Sequence, residues 1–157
     1  MNYWLIKSEA QAFSIDDLKN APGRKTHWDG VRNYQARNTL RDDMRQGDLV
    51  FFYHSNGQTP GIAGIAEVAS SAYPDHTAFD PNDPHFDAKS DPGNPRWVMV
   101  DIRYKRKTQR IISLSELKQY ERQLDGFTLL RRGNRLSVLP VSKKHWDFIL
   151  ALERAQP

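Results

Sequence analysis

Gly47-Asp48-Leu49-Val50-Phe51-Phe52-Tyr53-His54, followed after a short interval by Gly61-Ile62-Ala63-Gly64-Ile65-Ala66-Glu67-Val68, decides how this chain is read. The first run has the β-branched and aromatic content of a central strand, and Gly57 to Gly61 forms the turn that pairs it with the second. Gly61 and Gly64 inside a strand point to close backbone approach or to a bulge of the kind found at barrel corners. Upstream, Tyr3-Trp4-Leu5-Ile6 reads as a buried first strand whose last residues, Lys7-Ser8, emerge at the sheet edge. Ser14 with Asp16 and Asp17 opens a short helix, and a second is expected from about Arg32 to Asp43. Downstream, Arg96 to Tyr104 alternates as a half-buried strand, Ser113 to Glu116 fits a capping box, and Arg135 to Pro140 is extended. Ser142 caps a terminal helix with Trp146, Ile149 and Leu150 on one face. Trp4 and Trp146 are read as core and His145 as surface. Strands outnumber long helices, so the expected fold is α+β: one domain over residues 1–157, a mixed β pseudo-barrel, curved and partly closed, flanked by short helices.

A chain of 157 residues suffices for one hydrophobic core. It contains no cysteine, which excludes disulfides, thiolate metal sites and cysteine nucleophiles. No apolar run reaches the ~20 residues of a membrane span, and the start Met-Asn-Tyr-Trp-Leu-Ile-Lys-Ser lacks a signal peptide's features. A soluble cytoplasmic protein is expected. Residues 1–50 carry eight basic and seven acidic side chains, residues 51–100 two and six, and residues 101–157 thirteen and six. The basic last third offers Arg103, Lys105, Arg106, Lys107, Arg110, Arg131 and Arg132 as candidate contacts to phosphate backbones, unless they only guard a strand edge.

His27-Trp28-Asp29-Gly30-Val31-Arg32-Asn33-Tyr34 sets a tryptophan beside a glycine turn and then opens a helix. These types suit a pocket for a flat polar ligand: an indole face stacks, a glycine admits close approach, and an asparagine pairs with a nucleobase edge. Gly30, Val31, Asn33 and Tyr34 are candidates with Trp28, because free backbone amides at the helix start can meet polar ligand atoms. An enzyme is the alternative: His76, His85, Asp75, Asp80, Asp83 and Asp87 crowd the proline-rich segment from Tyr73 to Arg96, where carboxylates with histidines can hold a hydrolytic cation. Their spacing matches no ligand motif. There is no phosphate-cradling glycine loop and no GxSxG elbow, and neighbours His54 and Ser55 point to opposite faces of a strand.

Taken together, the blocks Tyr3 to Glu9, Trp28 to Asn38, Gly47 to Asn56, Gly61 to Val68, Tyr73 to Thr77, Pro95 to Trp97 and Arg135 to Val138 resemble the EVE domain, and within it the thymocyte nuclear protein family and its bacterial relatives. Ala10, Thr39 and Gly57 depart from the usual family text without removing a pocket residue. EVE domains resemble PUA-like folds and, within them, YTH domains, which hold methylated adenine of RNA in an aromatic cage. The resemblance implies a non-catalytic module for a modified nucleobase, with methylated or hydroxymethylated cytosine in DNA leading and modified RNA as a second possibility. It implies no cofactor, no metal and no membrane partner; related domain fusions add a separate nuclease or other effector protein. Carried over to this sequence, Trp28 is a cage wall, Lys7-Ser8 matches the dipeptide ending the first strand, and Trp97 is the second wall. Tyr53, His54 and Ser55 fall at a strand end beside the pocket; Arg135 and Ser137 line it or brace it. A sensor of a free nucleoside or other small cyclic metabolite remains the rival reading, and a metal-dependent hydrolase a third.

Overall fold

β1 (Tyr3–Ser8) and β3 (Leu49–His54) run parallel, with Leu5 beside Phe51 and Ile6 beside Phe52, in a computed structural model that describes residues 1–155. Around them a seven-stranded mixed sheet adds β2 (Lys25–Trp28), β4 (Gly61–Val68), β5 (Tyr73–Pro74), β6 (Val98–Ser113) and β7 (Val138–Val141). The order is β2-β6-β4-β3-β1-β7, with the short β5 also pairing to β6. Both faces are covered, which is why β3 is apolar at consecutive positions. On one face Trp4, Ile6, Val50 and Phe52 pack with Ile15 and Leu18 of α1 (Ile15–Asn20) and Ala36 of α2 (Tyr34–Asn38). On the other, Leu5, Phe51 and Tyr53 pack with Leu117 of α3 (Leu114–Gln119) and Trp146, Ile149 and Leu152 of α4 (Lys143–Arg154). Trp146 stacks on Phe51 with ring centroids 3.8 Å apart.

The expected pseudo-barrel does not form: β2 and β7 end the strand order without pairing to each other, so among the described residues the sheet is open. Bulges between Phe52 and Tyr53, Ile62 and Gly64, and Ile65 and Ala66 interrupt the registers. Gly61 and Gly64 show the close approach expected of them, and a bulge lies between Ile62 and Gly64, yet neither closes the sheet. A Cβ on Gly61 would meet the Ile112 carbonyl oxygen at 2.5 Å, and one on Gly64 would meet Ile15 Cδ1 at 2.5 Å and the Arg106 carbonyl oxygen at 3.0 Å. Gly64→Ala is therefore expected to cost ~1–3 kcal/mol through overpacking under α1. An unchanged urea midpoint would show that Ile15 has room to move.

Local signals set the helix starts. Ser14 and Asp17 form a reciprocal capping box, Ser113 accepts the Glu116 amide, and Ser142 accepts the His145 amide. The helix expected over Arg32 to Asp43 starts one residue after its Asn33 cap and continues as a π-helical turn over Thr39–Asp43. His145, read as surface, is buried against Phe127, because the Ser142 cap places it in the first turn facing the core. β6 runs nine residues beyond Tyr104, and β2 ends at Trp28 where no strand was expected.

Candidate nucleobase pocket

The ends of β1 and β2 border a pocket of about 540 Å³, within the range of small-ligand sites. Lys7 and Ser8 form one side with Glu9, Ala12 and Phe13; Thr26, His27, Trp28 and Asp29 form the other, and His85 closes the rim. Trp28 is partly buried, held on its strand by pairing with Val100 and by a perpendicular contact with Phe52 at 6.0 Å. The Ser8 hydroxyl donates to the Phe13 carbonyl at 2.5 Å and so fixes the loop that carries Phe13. A larger groove of about 830 Å³ lies at the N-terminus against the start of α4, but its tryptophan, Trp4, is buried with its indole N–H on Asp48.

Lys7 and Asp29 line the pocket together with the exposed Glu9. Burial holds the Lys7 amine below the ordinary lysine value, and the ammonium has no ion-pair partner among the described residues. Asp29 has one ion-pair partner among the described residues, His27, whose Nε2 lies 3.6 Å from its Oδ2. The lining thus combines a lysine of β1 with carboxylates just after β1 and just after β2.

The corner after Trp28 is built on a buried carboxylate. Asp75 is fully buried and accepts the Gly30 amide at 2.9 Å, Arg32 Nη1 at 3.0 Å, and both the amide and hydroxyl of Thr77. Burial pushes its carboxyl up, but the hydrogen bonds from Thr77, Gly30 and Arg32 outweigh burial and hold it below the usual carboxylate range. Arg32 also donates twice to the His85 carbonyl oxygen, at 3.1 and 2.6 Å. Gly30, at φ +76°, leaves space for the His85 imidazole, which a Cβ there would meet at 2.6 Å.

The other expected pocket residues take different positions. Trp97 is buried away from the pocket lining: it stacks on Tyr34 at 4.9 Å, lies under the Arg32 guanidinium, and donates its indole N–H to Asp87 at 2.7 Å. Tyr34 is half exposed beyond that stack, and Arg37 covers its ring. Asn33 spends its side-chain oxygen capping α2, and Val31 is core. Tyr53 faces the opposite core. His54 Nε2 accepts the Ile15 amide at the start of α1, which places its proton on Nδ1. Burial, partly opposed by Asp16, keeps that imidazole below its ordinary value. Ser55 donates its amide to the Ser8 carbonyl, and Ser137 accepts the Lys7 amide, so both brace the first strand. Arg135 is exposed in a neighbouring groove.

Five of the expected phosphate contacts are matched by acids. Arg103 and Lys105 face Glu67, Lys107 faces Asp16, Arg106 grips the buried Glu153 with two bonds, and Arg110 grips Glu116 likewise. The acids of the long loop also have local employment: Asp80, Asp83 and Asp87 each accept an amide two residues on. No group of three or more metal-ligating side chains forms among the described residues. Phe13, Asp29 and His85 were not singled out for the pocket from sequence; Asp29 alone had a signal there, its place between Trp28 and the turn glycine.

A family model described as the EVE domain matches residues 2–152. The chain belongs to the EVE domain family. Its EVE domain is 48% identical to rat thymocyte nuclear protein 1 over 172 residues, covering 99% of this chain and 75% of that one. A crystal structure of the human THYN1 protein in complex with 5-methylcytosine-containing DNA matches with a TM-score of 0.94 and 45% identity, covering all of both chains. The YTH domain of Zygosaccharomyces rouxii MRB1, solved with N6-methyladenosine RNA, shares the fold at a TM-score of 0.55 and 15% identity over 99% of this chain and 86% of that one. The expectation of a cytoplasmic protein does not survive these relatives, since the vertebrate EVE proteins it matches are named as nuclear.

Proposed function

We propose that this EVE domain is a non-catalytic module that recognises 5-methylcytosine in DNA, taking the base out of its strand into the pocket beside Trp28. The observation that carries the reading is the presence of that half-buried indole in one pocket with Lys7 and the carboxylates of Asp29 and Glu9. A human relative 45% identical over the full chain was solved with DNA containing that base. Cytosine offers an amino group to an acceptor and ring acceptors to a donor, whereas thymine presents a carbonyl in place of the amino group. Asp29 meets the amino group and Lys7 the ring acceptors. Methyl burial is worth about 0.8 kcal/mol, roughly fourfold in affinity, so the methyl group sets a modest preference over cytosine and the polar edge sets the larger one over thymine. Flipping costs a few kcal/mol, so single-stranded or mismatched sites bind better than intact duplex.

Asp29→Asn tests this directly. With one carbonyl and one amide in place of the carboxylate, it is expected to narrow the preference for 5-methylcytosine over thymine by ~1–3 kcal/mol, read by competition between single-stranded oligonucleotides differing at one base. An unaltered ranking of the bases would remove Asp29 from the edge.

A further inference from the structure

Arg131, Arg132 and Arg135 differ from the basic residues of β6: their side chains make no hydrogen bond or ion pair among the described residues. All three line a groove of about 580 Å³ together with Asn33, Gln35 and Asn134, and no carboxylate lines it. The base pocket, by contrast, contains Glu9 and Asp29, and the N-terminal groove Asp42 and Asp43. The arginine loop is held in shape before any ligand arrives. Gly133 turns it at φ +77°, and Asn134 ties both ends, donating from Nδ2 to the Thr128 carbonyl at 2.9 Å and accepting the Leu136 amide at 3.0 Å.

The groove is also linked to the pocket by one hydrogen bond and one short stretch of chain. Leu136 lines the groove, and the carbonyl of the next residue, Ser137, accepts the amide of Lys7 in the pocket at 2.9 Å. On the other side, Asn33 follows the pocket residue Asp29 by four positions through the Gly30 turn. We propose that this groove binds the sugar–phosphate backbone next to the extruded base, with Arg131, Arg132 and Arg135 on phosphate oxygens, and that the cationic strand β6 does not. Guanidinium groups match phosphate in paired hydrogen bonds, and an arginine already engaged by a carboxylate must give up that partner first. The direction of approach rests on the base-pocket reading.

The test is the salt dependence of binding to one single-stranded oligonucleotide, with and without 5-methylcytosine, for the wild type, for Arg131→Gln/Arg132→Gln/Arg135→Gln and for Arg103→Gln/Lys105→Gln. Each phosphate neutralised on a single strand contributes about 0.7 to the slope of log affinity against log salt, so the triple variant is expected to lose about 2 from that slope. The β6 pair is expected to keep the wild-type slope, and the ratio of affinities for methylated and unmethylated strands is expected to stay unchanged in both variants. A triple variant that folds, by circular dichroism, and retains the wild-type slope overturns the groove; so does loss of the slope in the β6 pair instead. If the triple variant is unfolded, the three single substitutions are read, each expected to remove about 0.7. A wild type with a steep slope but no preference for the methylated base would overturn the pocket reading and leave the groove standing.

Discussion

Trp28→Ala is expected to weaken binding of a 5-methylcytosine strand by ~1–3 kcal/mol, about 5- to 150-fold, and to erase most of its advantage over unmodified cytosine. The indole supplies the largest flat surface in the pocket, and the methyl group gains only where an apolar face receives it. Phosphate contacts in the groove are untouched, so the residual affinity should keep its salt slope. Trp28 also abuts Phe52, and its truncation removes packing from the edge of the core. Trp28→Phe separates the two effects: it keeps an aromatic face and is expected to retain a measurable methyl preference. Oligonucleotide titrations of both variants, with circular dichroism to establish folding, decide the matter; an alanine variant with full affinity and full preference would refute the stacking role.

The second large effect is on stability. Asp75→Asn is expected to destabilise the fold by about 3 kcal/mol at neutral pH, the lower end for breaking a buried charge pair, because Arg32 keeps about a quarter of its side chain in water. Four donors converge on this carboxylate, and an amide leaves at least one facing another donor. The acid dependence follows from the depressed carboxyl. A group with a lowered folded-state pKa contributes stability that is complete above its unfolded value, about 4, and disappears as pH falls through the folded value. Urea unfolding at neutral pH and at successively lower pH should show the wild type converging on the variant in acid. Equal stability at pH 7 would mean that Gly30, Arg32 and Thr77 find other partners. Because Arg32 also holds the His85 carbonyl, the variant is expected to lose base preference along with stability.

What the sequence conveyed depended on whether the cause was local. β1, β3 and β4 were legible because burial on both faces writes continuous apolar runs, and the three serine-capped helices were legible because the cap lies next to what it caps. β2 was not, since alternate residues of Lys25-Thr26-His27-Trp28 are exposed at the sheet's border and the segment carries a polar appearance. Closure was overread because a glycine in a strand looks the same whether it bends the sheet or makes way for Ile15. At the pocket, Lys7, Ser8 and Trp28 follow from the resemblance, and all three line it. His85 was hidden because a contact spanning more than fifty residues, Arg32 to its carbonyl, sets its place. Trp97, which the resemblance offered as the second wall, has its faces and its N–H already used. The β6 cations looked available for the same reason: the acids that answer them, Glu67, Asp16 and Glu153, are remote in sequence.

A sheet packed on both faces has a consequence for how such a chain can change. Along β3, Phe52 belongs to the layer that borders the pocket and Phe51 to the layer under Trp146, so neighbouring codons report to different tasks. Drift in the Trp146 layer bears on how long the molecule survives, while drift in the Trp28 layer bears on survival and on what is read at once. A lineage can therefore retune its durability for a new temperature through the first layer without renegotiating its choice of base, whereas a new base comes with a change in the foundation.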